Sequence, residues 1–224
     1  TGNRAGVFEQ LEGLTDRFRI VSFDQRGHGD SSPVLNPEMY DPHLMADDMR
    51  AVMDALDIEN AVVGGESMGA VLSLWLASKY PEIAGILAYA PAMRLNISAV
   101  DQLKLRIASW FQDDFPKEHF DANEHWQGYT VNPLKGVVQL LRLQRATLKQ
   151  LPKIHQPIMI VQGRLDRTIH PQSGEIILSK VASPAEAKQL DWMEESSHVV
   201  ILDNELDQIV NLTLQFIRDT IKRS

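Results

Sequence analysis

"GGESMGA", residues 64–70, ends one apolar run, Asn60–Val63, and opens another that reaches Tyr80. A serine between small residues at such a junction adds nothing to a core. It does satisfy a chemical requirement. Gly65-Glu66-Ser67-Met68-Gly69 fits G-x-S-x-G, in which a strand turns at once into a helix and leaves the serine at the tip in a strained conformation. The residues two before and two after are expected to be small, because the turn brings them against neighbouring backbone. The helix start then aims unpaired N–H groups at the place where an oxyanion would develop. The competing reading is a glycine-rich turn with a helix-capping serine. A strand pattern before Ser67 and a helix pattern after it favour the elbow.

Outward from the elbow, β-like and helical patterns alternate. "RIVSF" (Arg19–Phe23), "NAVVGG", "GILAYAP", "QPIMIVQG" (Gln156–Gly163) and "AKQLDWM" read as strands. Met45, Met49, Val52, Met53 and Leu56 recur at helical spacing, as do Leu206, Ile209, Val210, Thr213, Phe216 and Ile217. Met68–Tyr80 is apolar nearly all round and is stopped by Pro81, which predicts a buried helix. Continuously apolar strands separated by helices predict a mostly parallel sheet covered on both faces. Residues 94–131 break the rhythm. This polar stretch carries Trp110, Phe111, Phe115, Phe120, Trp126 and Tyr129. It reads either as an inserted helical lid or as ordinary surface helices with a few core aromatics. The expected division is a core in two parts, 1–93 and 132–224, with the insertion at 94–131.

A serine hydroxyl needs a base to become a nucleophile. In a parallel α/β sheet, ligands bind beyond the carboxyl ends of the strands, so the base belongs in a loop after a late strand. Of seven histidines, His198 fits best, since it follows "AKQLDWM" through "EESS" and precedes the last helix. His170 is second. His28 lies in the glycine-rich turn "DQRGHGDSS", and His43, His119, His125 and His155 have no strand end beneath them. The base needs an acid to fix its tautomer. Asp166 stands just past "IMIVQG"; Asp191 lies within a strand, and Asp203 reads as the N-cap of the last helix. The chain order Ser67, Asp166, His198 is that of the nucleophile-elbow fold.

The bulk composition excludes other classes. With 44% hydrophobic and 23% charged residues the chain is ordinary for a globular protein. A net charge of −8 without a basic cluster argues against nucleic acid or an anionic membrane as the partner. The absence of cysteine excludes disulfides, thiolate catalysis and Cys-ligated zinc. No stretch approaches a membrane span and no leader pattern is visible at Thr1, so the expectation is a cytoplasmic protein without integral membrane association.

The segments "DQRGHGDSS", "GGESMGA", "QGRLDRTIHP" and "ESSHVVILD" resemble, in order, those of the α/β hydrolases. "NPLKGVVQLLRL", "QPIMIVQGRLDRTIHPQSGEII" and "WMEESSHVVILDNELDQIV" are similar to bacterial carboxylesterases and monoacylglycerol lipases with a small helical cap. The resemblance implies an α/β-hydrolase fold with Asp166 as acid, His198 as base, the Met68 N–H as one oxyanion donor and a cap lining an acyl pocket. Glu66 stands where many relatives have leucine, histidine or glutamine. The expected activity is hydrolysis of small carboxylic esters with short to medium acyl chains, monoacylglycerols among them, with no metal or organic cofactor. Lactone, thioester and carbon–carbon bond hydrolysis use the same machinery, and a receptor-like binding protein is the farther alternative. The candidate substrate-binding residues are Trp110, Phe111, Phe115, Trp126, Ile169 and Val199.

The resemblance carries one more expectation. Thr1-Gly2-Asn3 look like the end of the family's "HGFTGN" phrase, which follows a strand. The second oxyanion donor and that strand would then lie upstream of Thr1. Without the strand, a slot of roughly 10 Å would separate Arg19–Phe23 from Asn60–Gly64 in the sheet.

Overall fold

The computed structural model describes residues 12–116 and 131–223. Its centre is a four-stranded parallel sheet in the order β1 (Ala61–Glu66), β2 (Ile83–Tyr89), β5 (Ile158–Gly163) and β6 (Lys188–Met193). A two-stranded antiparallel ribbon, β3 (Asp114–Pro116) with β4 (Val131–Pro133), lies apart from it. The helices are α1 (Glu12–Thr15), α2 (Pro42–Ala55), α3 (Met68–Ala77), α4 (Ala99–Ala108), α5 (Leu134–Gln150), α6 (Ser173–Lys180) and α7 (Leu206–Arg223). None of them is long and apolar enough to cross a membrane.

Period-two alternation sorts the strand side chains into two cores. Ile86 and Ala88 of β2, with Ile158 and Ile160 of β5, pack with α2, α3, α5 and α6 on one face. Leu87, Tyr89, Met159 and Val161 point the other way, to Ile209 and Phe216 of α7. Both faces of the sheet are therefore covered, as the unbroken apolar strands predict. Helix α3 is buried from Ala70 through Ala77, which explains a pattern with no polar stripe. Burying a leucine such as Leu72 or Leu76 contributes about 1.5–3 kcal/mol each.

Arg19–Phe23 is not a strand. A strand exists only through its ladder, and among the described residues β1 has no strand partner on the side away from β2. The residues around Arg19–Phe23 are tied down by side chains instead: Arg19 Nη1 donates to the Leu56 carbonyl at 3.2 Å, and Ser31 Oγ to that of Asp24 at 2.6 Å. Of the expected insertion at 94–131, the structure describes α4 and the ribbon; residues 117–130 lie outside the described residues.

Candidate active site

Strand β1 ends at Glu66 and helix α3 begins at Met68, so Ser67 alone makes the turn. Its backbone sits at φ 56° and ψ −114°, a conformation that costs a non-glycine residue about 1–3 kcal/mol. Two bonds from the end of β2 hold it there. The Ser67 N–H donates to the Tyr89 carbonyl at 2.9 Å, and the Ala92 N–H donates to the Ser67 carbonyl at 3.1 Å. Ser67 occupies the N-cap position of α3 but makes no capping bond. Its Oγ lies 3.0 Å from His198 Nε2 instead, which removes the reading as a capping serine.

Small residues are not needed equally on both sides. A Cβ on Gly65 would fall 2.6 Å from the carbonyl carbon of Gly69. A Cβ on Gly69 would meet nothing within 4 Å among the described residues. The steric expectation from the motif holds at Gly65, and at Gly69 no described residue imposes it.

His198 is carried by the loop between β6 and the short 3-10 turn Val200–Leu202. Two carboxylates from beyond that turn hold the loop. Glu205 accepts from Glu194 N (3.1 Å), Glu195 N (3.0 Å) and Ser196 Oγ (2.6 Å). Asp203 accepts from the N–H and hydroxyl of Ser197, both at 2.7 Å. Asp203 is thus a loop anchor and does not act as the side-chain N-cap expected of it. The sequence reading missed Glu205 altogether; its only trace is an acidic residue one position before the last helix.

Asp166 stands in the loop after β5. Its Oδ2 lies 2.9 Å from His198 Nδ1, and its Oδ1 accepts from Thr168 N and Ile169 N, both at 2.8 Å. A carboxylate only accepts, so Nδ1 carries the imidazole proton and Nε2 is left to accept from Ser67. Asp166 and His198 are each only 8% exposed. The rivals lie elsewhere. Asp191 bonds Gln189 at 2.7 Å within β6, with burial pushing its carboxyl up. His170 Nδ1 accepts from Gln172 N at 3.2 Å, and His28 Nδ1 donates to the Arg26 carbonyl at 3.0 Å.

The candidate substrate-binding residues are scattered. Ile169, whose N–H bonds Asp166, is fully buried, and Val199, next to His198 in the chain, is partly buried. Trp110 and Phe111 follow α4, a helix without a buried residue, and are 82% and 80% exposed. Phe115 is described only as a backbone position in β3, and Trp126 lies outside the described residues.

A strained serine at a strand-to-helix elbow, hydrogen-bonded to a histidine that is held by a buried aspartate, can be compared with known proteins. The α/β hydrolase fold family matches residues 1–142. The chain belongs to this family. Among relatives, this α/β hydrolase is 28% identical to the carboxylesterase of Bacillus subtilis over 227 residues, covering 97% of this chain and 88% of that protein. It is also 28% identical to 3-oxoadipate enol-lactonase 1 of Acinetobacter baylyi over 196 residues, 79% of this chain and 72% of the lactonase. Among solved structures, a study of two metagenome-derived lipolytic enzymes supplies one with TM-score 0.82 and 27% identity, covering 98% of this chain and 90% of the other.

Proposed function

We propose that this α/β hydrolase is a serine esterase that cleaves carboxylic esters of short to medium acyl chains, monoacylglycerols among them, through an acyl-enzyme on Ser67. The observation that carries the reading is the line of hydrogen bonds from Asp166 through His198 to Ser67. Ser67 Oγ attacks the ester carbonyl as His198 Nε2 takes its proton. Asp166 holds the ring and stabilises the imidazolium. The Met68 N–H, at the start of α3, is one donor to the tetrahedral oxyanion. His198 then gives the proton to the departing alcohol, leaving the acyl group on Ser67. Water repeats the path and frees the acid.

The likeness to an enol-lactonase favours one second reading, the hydrolysis of a cyclic ester by the same steps. A panel of p-nitrophenyl esters of rising chain length beside lactone substrates separates the two. Ser67→Ala is expected to lower turnover by several orders of magnitude and to abolish labelling by a fluorophosphonate probe. Turnover retained by that variant in a pure preparation rules out both readings.

A further inference from the structure

Glu66 precedes the serine and has no role in the steps above. As the last residue of β1 it stands beside Tyr89 in the sheet register. It shares a face of β1 with Val62, which packs on the apolar cluster under α7. Its Oε1 faces the Ile201 N–H at 3.5 Å, past the usual range of about 2.7–3.2 Å, so the contact is a weak one. Ile201 lies three residues past His198, in the turn that ends the histidine loop. The side chain of Glu66 therefore joins the nucleophile's strand to the base's loop across an apolar surface.

We propose that Glu66 is a positioning residue for His198: its carboxyl fastens the elbow to the histidine loop and, when ionised, places a second negative charge, after that of Asp166, within electrostatic reach of the imidazole. This rests on the reading of Ser67 and His198 as nucleophile and base.

Among the described residues, three titratable groups face Glu66. His198 favours its ionised form, Asp166 its neutral form, and Tyr89, on the neighbouring strand, is kept neutral by burial that pushes its phenol up to about 12. The Tyr89 hydroxyl is engaged with Thr213 Oγ1 at 2.7 Å. Burial in this setting raises the Glu66 carboxyl to about 7, against the pull of His198. The coupling is mutual. If the imidazolium favours the Glu66 carboxylate, the carboxylate favours the imidazolium equally. The imidazolium exists on His198 as the ester is attacked, so this help is felt in the transition state and not in substrate binding.

The test compares wild type with Glu66→Gln, which keeps shape and hydrogen bonding but not the charge. The His198 ring is followed by NMR against pH in a Ser67→Ala background, where no turnover is needed. The expected result is a His198 pKa lower by about half a unit or more, a threefold loss of proton affinity. With Ser67 present, the acid limb of fluorophosphonate labelling should move to lower pH. Ester turnover above pH 7 should lose kcat severalfold at unchanged KM. If Glu66→Gln does not fold, carbon-13 titration of Glu66 in wild type replaces it. A shared, two-step titration of Glu66 and His198 supports the proposal, and independent single steps overturn it. Superimposable His198 titrations in the two proteins also overturn it. Turnover persisting in Ser67→Ala would instead strike the serine mechanism and leave the titration result standing.

Discussion

Gly163, the last residue of β5, lies flat against the peptide of Ser196: a Cβ there would come within 2.8 Å of the Ser196 carbonyl carbon and run into the carbonyl oxygens of both Ser196 and Ser197. The strand end that leads to Asp166 and the loop that carries His198 are thus in backbone contact. The Leu165 N–H reinforces this by donating to the Ser196 carbonyl at 3.0 Å. A methyl group on Gly163 has only backbone to displace, so the loop must move. Gly163→Ala is expected to cost about 1–3 kcal/mol of stability and to lower kcat far more than it changes KM, because a 1 Å error in the base can cost about a hundredfold. Denaturant unfolding and steady-state kinetics check it; a variant with wild-type kcat would mean that the loop adapts.

The two glycines of the elbow should behave unequally. Gly65→Ala drives a methyl group into the Gly69 peptide and should unseat Ser67, with loss of both stability and fluorophosphonate labelling. Gly69→Ala meets nothing within 4 Å among the described residues and, lying inside helix α3, should gain roughly 0.5–1 kcal/mol from reduced backbone freedom in the unfolded chain. Thermal melts and labelling of the pair decide it; equal damage from both would contradict the geometry.

Much of this site was legible because its constraints are local. A strand, a tight turn and a buried helix write Ser67 into seven consecutive residues, and the loops after β5 and β6 mark Asp166 and His198 by position alone. What failed to show depends on partners distant in sequence. Arg19–Phe23 has the apolar pattern of a strand, but a ladder needs a neighbour that no local pattern can supply. Asp203 has the residue type of a helix cap, yet its carboxylate is taken by Ser197, on the other side of the 3-10 turn. Trp110 and Phe111 follow a helix that buries none of its residues and are themselves exposed, an outcome that aromatic composition alone does not foretell. Glu66 was visible only as an unusual residue, since its meaning lies in Ile201, 135 positions away.

Asp166 offers a sharper test of the base than removal of the serine. Its Oδ1 is committed to two backbone N–H groups, at Thr168 and Ile169. In Asp166→Asn the amide oxygen must stay on that side, because an NH2 group there would face two donors. The amide nitrogen is then presented to His198 Nδ1 and forces that atom to accept. The proton moves to Nε2, which can no longer take one from Ser67. The fold should survive while kcat falls by up to about four orders of magnitude, as for the comparable acid of serine proteases. Proton NMR of the imidazole reads the tautomer directly, and an Nδ1-protonated ring in the variant would refute the argument.

The raised carboxyl of Glu66 has a consequence for stability that is separate from catalysis. In the unfolded chain the group titrates near 4.5, and in the folded protein near 7, chiefly because burial disfavours its charge. Between these values the folded protein keeps a proton that the unfolded chain has released. Stability therefore falls as pH rises from about 4.5 to 7, and levels off above that. The full cost above pH 7 is on the order of 3 kcal/mol. Glu66→Gln carries no charge and escapes it. The variant should melt several degrees above wild type at pH 8, at about 2–4 °C per kcal/mol for a chain of this size. At pH 5 only about a quarter of that cost is expressed, and the two melting temperatures should draw close together. A difference of the same size at pH 5 and pH 8 would assign the effect to packing of the amide and not to relief of a buried charge.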